Sequence, residues 1–229
     1  MEEVTSEIFD ESYWQEFSGG FVYNVIRPVR RHLSLHPLLL PEWATLTSFA
    51  FDTGERLLQY RKKFSVVYGY DINPASIEDA RRKGFDGYAW KRDVTADNLA
   101  LCSPRTTLCS CYYLFEHLTD TQVLAVIKNM IRVSGINLIQ LTTMDDEHFI
   151  KDPTHNNPKN TSEWGVLLNS FYKPFGWKLW TRAPQSWCFA SPQEYKRLRW
   201  IKDGIELTIN HAWRGTSVLD RIRSRKNVR

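Results

Sequence analysis

The chain has 229 residues, 42% of them hydrophobic, 24% charged and 14% aromatic, and its 30 Lys and Arg outnumber its 26 Asp and Glu. That length suits one α/β unit with a full core and excludes a disulfide miniprotein, and the composition excludes a disordered chain. A net charge of +4 is too small to argue for a nucleic-acid groove.

In chain order, Leu46 to Phe51 reads as a short apolar strand, followed by a helix over Gly54 to Lys63 that carries Leu57 and Leu58. Val66 to Tyr70 reads as a buried strand ending at Asp71, and Pro74 suits the first turn of a helix reaching about Gly84. Gly87 to Ala89 and Thr107 to Leu114 read as strands. Asp120 is placed to cap a helix whose Val123, Leu124, Ile127, Met130 and Ile131 follow the 3.6 period, with Gly135 as its end. Ile136 to Thr142 is the next strand, and a polar loop from Thr143 to Lys159 precedes a helix with capping-box spacing at Asn160 and Glu163. Trp177 to Arg182 reads as a strand, and Leu198 to Lys202 and Ile205 to Trp213 as a closing hairpin around Asp203-Gly204. This alternation predicts an α/β fold, a seven-stranded, mainly parallel sheet covered by helices on both faces.

No apolar run approaches the roughly 20 residues that span a bilayer; Leu38-Leu39-Leu40 stops at Pro41. The polar start Met1-Glu2-Glu3 lacks a secretory pattern, and Cys102, Cys109, Cys111 and Cys188 are too few for a disulfide framework. The expectation is a soluble cytoplasmic protein with reduced thiols. Without repeats or a linker, the chain divides into a helical lead-in over 1–40, an α/β domain over 41–213 and a basic tail over 214–229.

In doubly wound sheets ligands bind beyond the carboxyl ends of the strands. Asp71, ending the second strand, is placed to accept from both hydroxyls of a ribose, and Asp93, beyond the third, from an adenine amino group. Helix capping is the plain alternative for each.

Taken together, Leu46-Thr-Ser-Phe-Ala-Phe-Asp-Thr-Gly54, Tyr68-Gly-Tyr-Asp-Ile-Asn-Pro74, Arg92-Asp-Val94 and Tyr113-Leu-Phe-Glu-His-Leu118 resemble the successive motifs of class I S-adenosylmethionine-dependent methyltransferases. Asp152-Pro-Thr-His-Asn-Asn-Pro158 followed by Trp164 is similar to the small-molecule members that act on sugars and natural products, as is the lead-in Tyr13-Trp14, Gly19-Gly20, Tyr23 and Arg27-Pro28. The resemblance implies a Rossmann-like methyltransferase fold and S-adenosyl-L-methionine as cofactor. It implies cofactor contacts at Tyr23, Ser48, Ala50, Asp52, Gly54, Asp71, Ile72, Asp93, Val94, Cys111 and His117. It also favours His155, in the loop facing the substrate, as the base that accepts the acceptor's proton, with Asp152 as its orienting partner. Tyr13, Trp14 and Tyr23 would form an aromatic lid, or else a helix packed on the sheet edge.

The first loop departs from the family pattern of acid-x-Gly-x-Gly-x-Gly. With its last glycine on Gly54, Ser48, Ala50 and Asp52 stand at the other three positions. Asp52 either repels the cofactor's carboxylate or meets its ammonium in place of the lost acid. Two functional readings therefore stand: an active methyltransferase with an unusual loop, or a degenerate methyltransferase fold that serves as a binding or scaffold protein or catalyses another reaction.

Asp145, Asp146 and His148 are the other candidate bases of the loop over 143–159; Asp145, His148, Asp152 and His155 could also ligate a divalent metal, but their spacing fits no strong metal signature, and no metal is assigned. Cys109 and Cys111 share one strand face and are expected to pack in the core. The partner expected is a small molecule, with no membrane; a homo-oligomer stays open. Nucleic acid is the lesser alternative, resting on a basic tail and on Trp187, Trp200 and Trp213 as stacking surfaces.

Overall fold

The structure, a computed structural model, describes residues 44–200 apart from Thr53, Asn98, Ala100 and Pro184. In order come β1 (Thr45–Phe49), α1 (Glu55–Arg61), β2 (Val66–Asp71), α2 (Pro74–Arg82), β3 (Tyr88–Lys91) and β4 (Thr106–Tyr112). A 3-10 turn (Phe115–His117), α3 (Asp120–Val133), β5 (Ser134–Gln140), α4 (Glu147–Lys151), α5 (Thr161–Tyr172), β6 (Lys178–Ala183) and β7 (Ser186–Ala190) follow. Residues 192–200 are helical.

The seven strands form one sheet in the order β3-β2-β1-β4-β5-β7-β6. β1 to β5 run parallel, and β7 is antiparallel to both of its neighbours. The chain builds outward from β1 to β3 and then returns to β4 on the other side of β1. That reversal puts the switch point, where such sheets bind ligands, at the carboxyl ends of β1 and β4.

Period-two alternation sorts side chains into two cores. Leu46, Val67, Leu108, Tyr112, Ile136 and Leu138 pack on one face with Leu57 and Ala80 of the helices. Phe49, Tyr70, Cys109, Cys111 and Ile139 pack on the other with Val123, Ile127 and Met130 of α3 and Trp164 and Leu168 of α5. The two strand cysteines are therefore buried packing residues, and all four cysteines are free thiols. Caps fix the helix starts: Asn73 accepts from the Ala75 amide, and Asn160 and Glu163 form the reciprocal capping box.

The structure corrects several sequence expectations. α3 is capped by Thr119 in a box with Gln122, with Asp120 in its first turn. It ends at Val133, and Gly135 lies inside β5, which follows without a loop. The loop 143–159 contains the short α4. The hairpin of the sheet is β6 with β7, turning through Gln185 at φ 57°. Leu198 is helical, not extended, and buried. Ser191 accepts from the Glu194 amide and Pro192 opens the helix, a start signal that outweighs the apolar content of Leu198 to Lys202. The Asp203-Gly204 hairpin, the lead-in and the tail lie outside the described residues.

Candidate functional site

Beyond β1 the backbone turns sharply. Ala50, Asp52 and Gly54 all adopt left-handed torsions, with φ of 50°, 65° and 74°. Side-chain-bearing residues rarely take these conformations, which cost of order 1–2 kcal/mol each and persist only where the surroundings impose them. Here the Ala50 amide donates to the Tyr70 carbonyl at 2.8 Å, and the Asp52 amide donates to Asp71 Oδ2 at 3.2 Å. Gly54 has a steric reason to remain glycine, since a Cβ there would lie 2.4 Å from Ala80 Cα of α2. The left-handed torsion and this close approach to α2 both require glycine. Ser48 is fully buried in β1, where it accepts from the Ser110 hydroxyl at 3.2 Å.

Asp71, at the end of β2, is only 7% exposed, and its Oδ1 accepts from the Asn73 amide at 2.9 Å. Burial raises its pKa to about 7, against the backbone donors that favour the carboxylate. The loop and the acid thus form one unit, because the carboxylate binds the amide of the very residue that replaces a glycine. Ile72 follows, half-buried. Asp93 is exposed and takes both the amide and the hydroxyl of Thr95 on Oδ1, a local turn with no helix between it and β4 among the described residues, so it caps none. Val94 is buried, and its carbonyl accepts from Asn129 of α3 at 2.9 Å. Cys111 is buried beside Glu116, and desolvation holds its thiol far above the ordinary range. Tyr13, Trp14 and Tyr23 lie outside the described residues.

A second cluster lies past β4 and β5. Glu116 and His117 occupy the 3-10 turn, and the segment 152–158 is tied to it across the fold. The Asn157 amide donates to the Glu116 carbonyl at 3.0 Å, and Asn157 Nδ2 donates to the Leu118 carbonyl at 2.8 Å and to Asp120 at 2.9 Å. These bonds bring His155 within ring contact of His117, with centroids 4.8 Å apart. His117 Nδ1 bonds the Thr154 hydroxyl at 2.9 Å, and that hydroxyl donates to Asp152 Oδ1 at 2.6 Å. Burial and the neighbouring His155 push the His117 pKa down to about 4.

His155 Nδ1 donates to the Phe149 carbonyl at 2.9 Å, while its Nε2 stands 3.5 Å from Asp152 Oδ2. The bond that orients the ring therefore comes from Phe149; Asp152 faces the nitrogen expected to act as base. Burial lowers the His155 pKa against the pull of Asp152. Of the other candidate bases, Asp145 accepts from the Thr161 amide and Asp146 from Gln185, and His148 lies in α4.

Two buried charged residues, Glu116 of the motif and Arg56, were given no role from sequence. Glu116 is completely buried; Oε1 accepts from the Thr142 amide at 2.8 Å, Oε2 has no hydrogen-bond partner among the described residues, and burial raises its pKa to about 8. Its place beside His117 between the apolar Phe115 and Leu118 was the available signal. Arg56, at the start of α1, is buried over the rings of Tyr112 and Tyr113 at 5.0 and 5.9 Å, with Nη1 unpartnered among the described residues. Its apolar surroundings are set by the fold and leave no mark in the local sequence. Trp187 is fully buried and offers no stacking surface, whereas Trp200 is 78% exposed. Among the described residues, no helix is long and apolar enough to cross a membrane.

No protein-family model and no curated protein matches the sequence. Among solved structures, magnesium protoporphyrin IX methyltransferase ChlM from Synechocystis PCC 6803 with bound SAM superposes with a TM-score of 0.54 at 12% identity, covering 82% of this chain and 97% of that one. The small RNA methyltransferase HEN1 superposes at 0.55 and 11% identity over 72% of this chain, and the sugar N-methyltransferase KedS8 from Streptoalloteichus at 0.48 and 17% over 62%. The chain matches 57% of the length of KedS8 and 25% of HEN1. At these identities the likeness defines the fold, which is the Rossmann-like fold of class I S-adenosylmethionine-dependent methyltransferases.

Proposed function

We propose that this protein is an S-adenosyl-L-methionine-dependent methyltransferase acting on a small molecule, a sugar or natural-product intermediate methylated on oxygen or nitrogen. The observation that carries the reading is the unit made by the loop after β1 and Asp71. Three consecutive alternate residues keep the left-handed path of a glycine loop, although two of them carry side chains, and the acid of β2 holds that path from beneath. The backbone and the acid fit the cofactor, whose bound form supplies an electrophilic methyl group on a sulfonium. ChlM, which carries SAM, supports the assignment through its shared fold. Asp71 would take the ribose hydroxyls and Asp93 the adenine, while His155 and Asp152 would receive the proton of the acceptor.

Loss of a bond to a charged acceptor costs roughly 1.5–3 kcal/mol, or about ten- to a hundredfold in affinity. Asp71→Ala should weaken S-adenosylmethionine binding by that factor in calorimetry while the circular dichroism spectrum stays that of the parent. Unchanged affinity in the folded variant would be evidence against this placement.

One observation favours the second reading, a binding or scaffold role. The Cβ atoms at Ala50 and Asp52 stand where the family leaves space, and Asp71 is already bonded to its own backbone. Failure of the parent chain to bind either S-adenosylmethionine or S-adenosylhomocysteine would select it.

A further inference from the structure

We infer that Glu116, His117 and His155 form a binding site for one divalent transition-metal ion of the zinc and manganese class. Only the use of that ion in catalysis rests on the methyl-transfer reading. One donor atom from each of the three residues lies within 4.8 Å of the other two. Donors around a tetrahedral ion bound at about 2.0–2.2 Å are roughly 3.5 Å apart, so a closure of about 1 Å completes the site. Glu116 and His117 are adjacent in sequence, but His155 is 38 residues further on, which is why spacing alone gave no metal signature.

Three features distinguish this cluster from an ordinary polar core. Glu116 Oε2 is buried with no hydrogen-bond partner among the described residues, although a buried carboxylate oxygen ordinarily finds one. The second concerns His155. A carbonyl can only accept, so the bond to Phe149 puts the proton on Nδ1 and leaves the lone pair on Nε2 of the neutral ring. That lone pair stands 3.5 Å from the carboxylate oxygen Oδ2 of Asp152, so the ring presents an unprotonated nitrogen, a ready metal ligand, beside a carboxylate. The third is the outer layer. Metal-binding histidines usually give their other N–H to a carbonyl or a hydrogen-bonded partner, and here Phe149 does this for His155 and Thr154, braced by Asp152, for His117.

Two imidazoles and one carboxylate select a borderline ion such as zinc, manganese or iron over magnesium, which prefers oxygen. Three protein ligands leave a coordination position open. An oxygen bound there would lose its proton more readily, and Asp152 would remain to accept it while His155 acts as a ligand.

The test uses the untagged full chain stripped with a chelator, titrated calorimetrically with zinc and, separately, with cobalt followed by visible absorption. One ion per chain and cobalt bands are expected. His155→Ala and Glu116→Gln should each weaken binding by at least about tenfold, and Cys102→Ser, at an exposed thiol, should leave it unchanged. His155 is only partly buried, so its variant serves if Glu116→Gln does not fold. No bound ion, or equal affinity in His155→Ala, would overturn the inference. Titration of the stripped protein with S-adenosylhomocysteine separates the two readings. Cofactor binding without metal binding overturns the site and keeps the methyltransferase; metal binding without cofactor binding does the reverse.

Discussion

The loop after β1 and the junction of residues 113–118 with 152–158 lie together at the carboxyl end of the sheet, yet they are held in different ways. The loop is a backbone device: of its left-handed residues 50, 52 and 54, the first two are held by hydrogen bonds from their amides to Tyr70 and Asp71. The junction is a side-chain device, in which Asn157, Thr154 and Asp152 pin two segments distant in sequence around Glu116 and two histidines. A backbone device tolerates the loss of two glycines as long as its anchors survive. A side-chain device depends on the identity of each member. The difference explains how the first loop holds its path with side chains at positions 50 and 52, whereas the cluster of Glu116, His117 and His155 depends on each side chain.

The largest expected effect comes from the anchor of the loop. Asp71 binds a proton in the folded state up to pH about 7, whereas the ordinary carboxyl releases it near 3.8. Between those values the unfolded state holds fewer protons, so stability falls as pH rises, by up to roughly 4 kcal/mol. Urea midpoints should therefore decline from pH 4 to pH 8 in the parent, and the Asp71→Asn variant should lose that part of the slope. An identical slope in both proteins would place the carboxyl in water.

Gly54→Ala tests the same loop through packing. With φ at 74° and a Cβ driven against Ala80, it should cost about 3 kcal/mol. Gly84→Ala, at φ 88° with nothing within 4 Å, should cost only about 1 kcal/mol. Equal losses by denaturant titration would mean that torsion, not the contact with α2, retains Gly54.

In the junction, Asn157→Ala removes two donated bonds and should cost about 2 kcal/mol in urea unfolding. It should also speed hydrogen exchange in residues 152–158 more than in the loop after β1. Uniform acceleration would show that the two regions are one cooperative unit.

Asp52→Gly has the smallest effect on stability. Relief of the left-handed torsion and the added chain entropy nearly cancel, within about 1 kcal/mol. Calorimetry should nevertheless show S-adenosylmethionine binding weakened about tenfold if Asp52 meets the cofactor's ammonium. Tighter binding would make it a repulsive lesion. Ser48→Asp would bury a carboxylate against Ser110 and should destabilise the fold.

Local patterns determined much of the fold. Period-two apolar runs gave five parallel strands, and Asn73-Pro74 and Asn160 with Glu163 set two helix starts through bonds made within a few residues. Asp71 and the altered loop were legible because a strand end and a motif mark them. Tertiary structure decided the rest. The closing hairpin fell at β6 and β7, because pairing with β5 fixes which apolar segments become strands and Ser191-Pro192 starts a helix where alternation suggested extension. Glu116, His117 and His155 become neighbours only when Asn157 bonds across 39 residues to Leu118. The burial that leaves Glu116 Oε2 without a partner among the described residues belongs to packing, which no short window of sequence contains.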